Sequence, residues 1–552
     1  MENDEVPDSK DLGAFYTDSQ VADFLVWWAV RSADDCVIDP SFGAGVFLRA
    51  TCEQLNSLGA DASSRVFGVE IDADVHRTIS DKLYDEFGLR RENLVLADLF
   101  EYNPPGHTRF TVAVGNPPFI RYHRFSGTAR SRALKRAKAA GVQINELTSS
   151  WAPFLIASAE LLADGGRLAM VLPMEICHAQ YARPVLAYLA RAFSSCTFLT
   201  FRKRLFPNLS QDTLLLLAEG KGIDCDGRFY VRDLANSGAL TRLRRQQTRL
   251  LKRTAELHTD SISSGKRRVI EHLIPGKARD LYREIQQLPS VARLQELADI
   301  GIGYVTGAND YFHVAPETAT RLKIPPSFLK QSVRRGRALN GLRFTNDDWQ
   351  KLLKEGNASL FLHLKPTDRL TKTLRDYVSQ GESAGIQNGF KCRNRNPWYC
   401  VPNVYLPDAF LSYMSGAMPR LVANDAGVYA PNSLHIVRLR NRNLLAPGAL
   451  AAVWQTSLTR LSVELEGHAM GGGLLKLEPS EADSVLVANP TAISYSDELL
   501  KQLDTLCRNG RERDAIAIAD KQFLREKVGL SASDCALLRE AAGALFQRRY
   551  SR

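Results

Sequence analysis

The sequence lacks the features that would place it in a membrane or outside the cell. No apolar run among its 552 residues approaches the ~20 residues that a transmembrane helix needs. Its first residues, MENDEVPDSKDL, are acidic, whereas a secretory leader is basic and then apolar. The nine cysteines are scattered and include no CxxC pair, so we expect neither disulfides nor a metal site. These absences predict a cytoplasmic protein.

Composition and charge narrow the class of protein further. A content of 45% hydrophobic and 24% charged residues is typical of a globular protein, and the length predicts several domains. Residues 1–100 carry 8 Lys and Arg against 20 Asp and Glu, a net charge of −12, although the whole chain carries +10. The later residues therefore carry +22. Such a basic region indicates a polyanionic partner, unless it is only a well-solvated surface.

Seven short apolar runs in the first part of the chain predict β-strands. They are nearly continuous in hydrophobicity, as strands buried on both faces are, and helical stretches separate them. This alternation predicts an α/β fold with a doubly wound, mostly parallel, Rossmann-like sheet. The runs cover residues 36–40, 65–71, 93–98, 110–115, 167–173, 196–201 and 213–219.

Changes of composition along the chain predict four parts. Residues 1–225 form the α/β domain, and residues 226–290 are a polar, basic and mostly helical connector. Scattered aromatics, glycines and prolines in residues 291–483 predict a mixed α+β domain of many short strands. Residues 484–552 predict a helical C-terminal region of two or three charged helices.

Acidic residues follow three consecutive predicted strands. Asp39 precedes the glycines of the turn DPSFGAG, Glu70 ends the run VFGVE, and Asp98 ends the run VLAD. Gly43 and Gly45 let the backbone of this turn approach a ligand closely. A carboxylate at the end of the second strand is placed to accept ribose hydroxyls. The pattern predicts a cofactor that contains adenosine.

The segment GNPPF, residues 115–119, carries the sharpest signal. Its consecutive prolines fix the backbone at the carboxyl end of the fourth predicted strand, where open α/β sheets bind ligands. Asn116 Oδ1 and the Pro117 carbonyl can then point at one amino group, and Phe119 offers a flat apolar face to a base. A second Asn-Pro-Pro, at residues 103–105, follows a polar stretch and is predicted to be a plain loop.

The order of these motifs resembles that of the γ-class N6-adenine DNA methyltransferases. In that family the cofactor-binding half precedes the catalytic motif, and a target-recognition domain follows. The resemblance is strong over residues 13–220 and looser over residues 300–482. Its later matching stretches are residues 204–219, 303–312, 391–399 and 471–481.

The resemblance implies that the chain binds S-adenosylmethionine and methylates adenine N6 in double-stranded DNA. The residues that it assigns to the cofactor are Tyr16, Thr17, Asp39, Pro40, Ser41, Gly43, Gly45, Glu70, Ile71, Asp98 and Leu99. Those that it assigns to the target adenine are Asn116, Pro117, Pro118, Phe119 and Phe206. A basic residue sometimes follows the last of these in relatives, whereas Pro207, Asn208 and Leu209 follow it here. This departure leaves the outer wall of the base pocket undefined.

Basic side chains after the catalytic motif are candidates for phosphate contacts. Residues 121–138 contain seven Lys and Arg and no acid, which is typical of a DNA-binding loop or of a solvated helix. The predicted DNA contacts, in this loop and in the recognition domain, are Arg121, Arg124, Arg130, Arg393 and Arg395. The recognised sequence cannot be read from residue order, because it depends on groove geometry.

Three other functions fit parts of the sequence. A methyltransferase of RNA bases or of protein glutamine shares the Asn-Pro-Pro-aromatic motif, but tends to lack so long a basic region after it. A DNA-recognition subunit without catalysis would not need Asn116 and Phe119. A nuclease fusion needs an N-terminal extension, and the first motif here begins at Gly13. We therefore expect a monomeric modification enzyme of a restriction–modification system, with any endonuclease encoded separately.

Overall fold

A nine-stranded sheet is formed by the apolar runs that the sequence predicts as strands, together with two further strands. In a computed structural model its strands are β1 (Val37–Asp39), β2 (Val66–Glu70), β3 (Leu94–Leu96), β4 (Phe110–Gly115), β5 (Leu162–Pro173), β6 (Phe193–Phe201), β7 (Thr213–Lys221), β8 (Arg228–Leu234) and β9 (Ala255–His258). All seven predicted strands are confirmed. Across the sheet the order is β3-β2-β1-β4-β5-β7-β6-β8-β9.

The chain divides into two compact units. The first comprises Met1–Leu273, Met470–Gly472 and Arg548–Arg552, and the second comprises Ile274–Ala469 and Gly473–Gln547. The predicted division into four parts is finer than this and stays a prediction. The structure describes residues 17–550 apart from residues 105–108, 121–124, 147, 207–211, 226–227, 247–254, 259–267, 358 and 493–495.

Strand directions in the large sheet match the predicted class. β1 runs parallel to both of its neighbours, β2 and β4, and the pairs β2–β3 and β4–β5 are parallel as well. β7 is antiparallel to β5 and β6, and β9 is antiparallel to β8. The sheet is therefore mostly parallel, which confirms the predicted Rossmann-like α/β fold.

Helices cover this sheet because their apolar faces need burial. They are α1 (Ser19–Ala29), α2 (Val46–Ser57), α3 (Ala73–Phe87), α4 (Gly127–Ala139), α5 (Trp151–Glu160), α6 (Arg183–Ala192) and α7 (Gly238–Arg245). α1 begins after Asp18, whose carboxylate accepts the Gln20 N–H at 2.8 Å. Residues Thr213 to Ala218 of β7 are all buried, as expected of a strand covered on both faces. No helix in the described part of the chain is long and apolar enough to cross a membrane.

The prediction of a mostly helical connector over residues 226–290 is wrong at its start. β8 lies there, parallel to β6, and extends the large sheet. Its residues Phe229, Tyr230 and Val231 are buried. Charged neighbours masked this short apolar run in the sequence, because 14 basic and 6 acidic residues lie between Arg228 and Glu284.

The second unit consists of short strands and helices, as predicted for the mixed α+β region. Five strands form its largest sheet, in the order β11-β19-β16-β18-β14. The core beside this sheet includes Phe344, Phe410 and Ile436. The strands are β10 (Val291–Arg293), β11 (Ala298–Ile302), β12 (His313–Val314), β13 (Leu329–Gln331), β14 (Arg343–Phe344), β15 (Leu360–Leu362), β16 (Ala409–Ser412), β17 (Met414–Ser415), β18 (Leu421–Asn424), β19 (Leu434–Leu439), β20 (His468–Ala469), β21 (Leu475–Lys476) and β22 (Leu486–Ala488).

The predicted helical C-terminal region is confirmed from Asp497 onward. Before it, β22 pairs with β10, so the first residues of that region form a strand. Helices after Leu273 are α8 (Gly276–Ile285), α9 (Leu294–Leu297), α10 (Asn309–Phe312), α11 (Pro316–Arg321), α12 (Asn346–Lys354), α13 (Lys372–Ser383), α14 (Phe390–Arg393), α15 (Pro447–Val453), α16 (Ser457–Glu466), α17 (Pro479–Ala482), α18 (Asp497–Arg508), α19 (Glu512–Ala519) and α20 (Ala532–Tyr550). A π-helix over Asp520–Val528 separates the last two.

Candidate active site

The candidate site lies where the order of strands in the large sheet reverses. β2 and β3 lie on one side of β1, and β4 and β5 lie on the other. The chain therefore adds strands first on one side of β1 and then on the opposite side. Open α/β sheets bind ligands beyond the carboxyl ends of their strands at such a point. The register pairs Ile38 with Ala113, which brings the ends of β1 and β4 to the same edge. Asp39 and Asn116 lie at these two ends.

The turn after β1 depends on its two glycines. Gly43 and Gly45 have φ angles of +47° and +75°, in the left-handed region that favours glycine. A Cβ on Gly45 would lie 2.7 Å from Ile79 Cγ2, so a side chain there would have to displace Ile79. The Gly43 N–H donates to Glu70 Oε2 at 2.8 Å, which ties the turn to the end of β2.

Glu70 is held in place by backbone groups. Besides the Gly43 N–H, its carboxylate accepts the N–H groups of Ile71 and Asp72, both at 2.9 Å. A carboxylate has about four acceptor positions, so one remains for a ligand. The carboxylate at the end of β2 is therefore fixed before any ligand arrives.

Asp39 is buried next to this turn, with 1% of its surface exposed. Its Oδ1 accepts the Ser41 N–H at 3.1 Å, but its Oδ2 has no hydrogen-bond partner among the described residues. A Cβ at Gly115 would lie 3.0 Å from Asp39 Oδ1, so the glycine of GNPPF makes room for this carboxylate. Burial, assisted by the charge of Glu70, raises the pKa of Asp39 to about 8.

The raised pKa of Asp39 predicts a pH-dependent gain in stability for Asp39→Asn. The unfolded chain ionises Asp39 near its usual pKa of about 4, whereas the folded chain resists ionisation up to pH about 8. The wild-type protein therefore loses stability as the pH rises between these values, and the variant does not. We expect the variant to be more stable at pH 8 by on the order of 5 kcal/mol, because the pKa rises from 3.8 to about 8, with no gain below pH 4.

Urea unfolding at both pH values measures this difference. Asp74→Asn is the matched control, because the Asp74 side chain is 85% exposed. An equal effect of Asp39→Asn at pH 4 and at pH 8 would show that the buried carboxylate does not ionise as described.

The other predicted cofactor residues are distributed along the same edge. Ile71 is 63% exposed beside Glu70. Asp98 Oδ1 accepts the Phe100 N–H at 3.0 Å, and Asp98 Oδ2 accepts from Arg132 Nη1 at 3.4 Å. Leu99 is buried in the core. Pro40 is buried as well, and Tyr16 lies outside the described residues. The contacts of these residues with a cofactor stay predictions.

Asn116 has an oriented amide with an unused acceptor. Its Nδ2 donates to Thr17 Oγ1 at 3.2 Å. Its Oδ1 is buried and has no hydrogen-bond partner in the part of the chain that the structure describes. Buried polar atoms almost always have a partner, so this oxygen is a candidate to bind a ligand N–H. The sequence did not predict the contact between Thr17 and Asn116, which lie 99 residues apart.

Ser150 clamps the segment around Pro118 and was missed by the sequence analysis. The Ile120 N–H donates to Ser150 Oγ at 2.8 Å, and the Ser150 N–H donates to the Ile120 carbonyl at 3.0 Å. Ser150 Oγ itself donates to the Pro118 carbonyl. The serine is fully buried before α5. These three bonds fix the backbone at the end of GNPPF. In the sequence, the only signal of this role is the short polar stretch TSS that precedes Trp151.

The two predicted aromatic contacts of the target base lie in the hydrophobic core of the first unit. Phe119 is 7% exposed and Phe206 is 8% exposed. The residues that follow Phe206, from Pro207 to Leu209, lie outside the described part of the chain. Stacking of either ring on a base therefore stays a prediction.

Three of the arginines predicted to contact DNA interact with other residues of the protein. Arg130 Nη1 donates to the Glu146 carbonyl at 3.3 Å, while Arg121 and Arg124 lie outside the described residues. Arg395 donates to the carbonyls of Thr306, at 2.7 Å, and Val305, so it braces that segment. Arg393 lies 5.3 Å from the centre of the Phe390 ring. Within the described ranges, no three His, Cys, Asp or Glu residues are grouped to hold a metal ion.

Comparisons with known proteins agree with this geometry. The family model "N-6 DNA Methylase" matches residues 5–266, and the model "Type II methyltransferase M.Eco57I, C-terminal domain" matches residues 266–524. The type II methyltransferase M.AccI of Acinetobacter calcoaceticus is 21% identical over 531 residues, with 94% of each chain covered.

Two solved structures align along nearly the whole chain. The type IIL restriction-modification enzyme MmeI, in complex with DNA, aligns with a TM-score of 0.55 at 11% identity and covers 97% of this chain and 75% of its own. The type IIG restriction endonuclease BpuSI aligns with a TM-score of 0.42 at 15% identity over 99% of this chain. The chain spans 66% of the length of BpuSI.

The sheet, its glycine turn and the GNPPF edge define a Rossmann-like methyltransferase. The two family models follow one another along nearly the whole chain. Residues 5–266 therefore match an N-6 DNA methylase domain and residues 266–524 the C-terminal domain of a type II methyltransferase, so the chain is similar to the methyltransferases of type II restriction–modification systems.

Proposed function

We propose that this protein transfers a methyl group from S-adenosylmethionine to N6 of an adenine that is flipped out of double-stranded DNA. The observation that carries the proposal is the buried Asn116 Oδ1, which has no partner among the described residues although its amide nitrogen is held by Thr17. An exocyclic amino group is the ligand that such an acceptor fits. The order of the motifs further supports membership of the γ class.

The residues around the glycine turn fit the cofactor. Asp39 Oδ2 and Ser41 Oγ are buried without a hydrogen-bond partner among the described residues, so both are available to a polar ligand. We assign the ribose, through one hydroxyl, to the remaining acceptor position of Glu70, and the adenine face to the exposed Ile71. When bound, S-adenosylmethionine supplies an electrophilic methyl group on a sulfonium.

The chain activates the target nitrogen by position rather than by a conventional base. An adenine amino group is a poor nucleophile, because its lone pair is delocalised into the ring. Asn116 Oδ1 and the Pro117 carbonyl each accept one of its N–H groups, which draws the nitrogen toward tetrahedral geometry and frees the lone pair. Since Thr17 orients the Asn116 amide and Ser150 fixes the backbone that follows Pro117, little reorganisation is needed at the moment of reaction.

The two acceptors recognise an amino group and not a particular base. Cytosine N4 offers the same two N–H donors, so the site alone does not select adenine. The match of residues 5–266 to an N-6 DNA methylase domain favours adenine. Because N6 is inaccessible within a duplex, the base has to flip out, at a cost of a few kcal/mol, and we assign Phe119 and Phe206 to its two faces.

The contact between Thr17 and Asn116 predicts an effect that depends on the amide. Thr17→Val removes the acceptor that keeps Asn116 Nδ2 away from the substrate, so the amide can turn and present a donor instead. We expect the single-turnover rate at saturating cofactor to fall about tenfold, as for the loss of one hydrogen bond. Thr17→Ser keeps the hydroxyl and should keep most of the rate.

A double-mutant cycle with Asn116→Asp shows whether Thr17→Val acts by changing the orientation of the Asn116 amide or by disturbing the structure in general. A carboxylate has two equivalent oxygens, so its rotation changes nothing. Thr17→Val should therefore lower the rate of Asn116→Asp by less than about twofold. If Thr17→Val costs the same factor in both backgrounds, Thr17 does not act through the amide.

Mapping modified bases in the genome of a host that expresses the chain tests the function as a whole. We expect N6-methyladenine within one recognised sequence, and none when the chain carries Asn116→Ala. We assign the choice of sequence to residues 291–483, and any restriction endonuclease to a separate chain. Methylation of structured RNA or of protein glutamine without any change in DNA would favour the alternative substrates.

A further inference from the structure

A cluster of arginines lines a cavity in the second unit. Arg334, Arg335 and Arg337 surround a space of about 130 Å³, which Asn357 and Ser359 also line. No acidic side chain is among its described lining residues. We call this space the arginine pocket.

The backbone that carries the arginines is fixed on both sides. Val333 and Leu339, which flank them, are fully buried in the core beside the largest sheet of the second unit. The Val333 N–H donates to the Tyr429 carbonyl at 2.9 Å, and the Ser332 N–H donates to the Ser359 carbonyl at 2.8 Å. The segment between these anchors therefore presents its side chains from a rigid support, which lowers the entropy cost of binding a ligand.

The positive charge of the pocket is only partly compensated. Arg334 Nη2 pairs with Asp310 Oδ1 at 2.8 Å, and this bond lowers the pKa of Asp310. Arg335 and Arg337 are exposed and form no ion pair with any described residue. These four charged groups thus leave a net charge of +2. Guanidinium groups bind the paired oxygens of an oxyanion through parallel N–H···O bonds, so a pocket with a net charge of +2 fits the phosphate of a polyanion.

We propose that the arginine pocket binds a phosphate of the DNA backbone, through Arg335 and Arg337, while Arg334 with Asp310 supports its wall. The inference rests on the proposed function, because it takes DNA as the polyanion. A phosphate contact fixes the position of a protein on the duplex without reading a base. The pocket therefore assigns to this unit a binding role that is separate from sequence choice.

The salt dependence of DNA binding tests the pocket. The double variant Arg335→Gln/Arg337→Gln and the wild type are titrated with a duplex of arbitrary sequence at a series of salt concentrations. Each lost phosphate contact should lower the slope of log K against log salt by about 1, so we expect a decrease of about 1 to 2. Arg335→Lys/Arg337→Lys keeps the charge and should keep most of the slope. Melting curves show whether each variant is folded.

The control is a pair of exposed arginines elsewhere in the same unit, Arg321→Gln/Arg513→Gln, which removes the same charge. If this pair lowers the slope as much, or if the pocket variant leaves it unchanged, the pocket does not bind DNA. Inorganic phosphate at matched ionic strength should displace the duplex only weakly. Phosphate binding to the wild type without any effect of the pocket variant on DNA affinity would assign the site to a free anion instead.

These outcomes are distinct from a failure of the proposed function. A wild-type protein that binds duplex DNA but does not methylate it would overturn the proposed function and leave the test of the pocket intact. A protein that methylates DNA but keeps its salt slope in the pocket variant would overturn only the pocket.

Discussion

Asn116→Ala should lower the single-turnover rate of methyl transfer about 10²–10³-fold, because it removes one of two preorganised acceptors at the reacting nitrogen. Duplex affinity should change little, since it depends mainly on phosphate contacts. The side chain is small and its Oδ1 has no described partner, so little folding free energy depends on it. Rapid-quench assays with saturating cofactor and DNA measure the rate, and a binding titration measures the affinity.

The chain offers a matched control in its second Asn-Pro-Pro. Asn103→Ala makes the same substitution in the same tripeptide, but Asn103 is exposed, and among the described residues its Oδ1 accepts one long bond, from Arg136 at 3.4 Å. We expect wild-type rates for this variant. A loss of rate in Asn103→Ala together with a normal rate in Asn116→Ala would move the catalytic centre to the other tripeptide.

Glu70→Ala should weaken binding of S-adenosylmethionine about 10²-fold. A hydrogen bond to a charged group contributes about 1.5–3 kcal/mol, and the variant loses the one to the ribose. The structure adds a second effect, because the same carboxylate holds the N–H groups of Gly43, Ile71 and Asp72. The glycine turn should therefore be less well fixed in the variant. Calorimetric titration with the cofactor measures the affinity.

Two further variants separate these effects of Glu70. Glu70→Gln keeps one acceptor oxygen and should lose less affinity than Glu70→Ala. Glu53→Ala, at an exposed position on α2, should leave the affinity unchanged. An unchanged affinity in Glu70→Ala, with a normal melting temperature, would contradict the assignment of Glu70 to the cofactor.

The large sheet was predictable because its strands are buried on both faces and therefore read as continuous apolar runs. The strand-end acids were predictable for a related reason, since a carboxylate directly after such a run is rarely needed for packing. β8 was missed because its run of three consecutive apolar residues stands among charged ones. The short paired strands β10 and β22 give no local signal, because their partners lie nearly two hundred residues apart along the chain.

The fine geometry of the site required the structure. The motif GNPPF could be read from the sequence, but not the bonds that fix it, because Thr17 and Ser150 approach it only after folding. The same holds for the arginine pocket. The sequence shows the basic residues Arg334, Arg335 and Arg337, but only the structure shows that they line one cavity. The buried residues Val333 and Leu339 on either side hold this segment in place.

The identity of the methylated nucleoside tests the central claim most directly. Purified protein is incubated with duplex DNA and S-adenosylmethionine that carries an isotopic label in its methyl group, and the DNA is digested to nucleosides for mass spectrometry. We predict labelled N6-methyladenine with the wild-type protein, and at least a hundredfold less with Asn116→Ala in the same time. Labelled N4-methylcytosine or 5-methylcytosine in place of N6-methyladenine would contradict the account, as would DNA that carries no label.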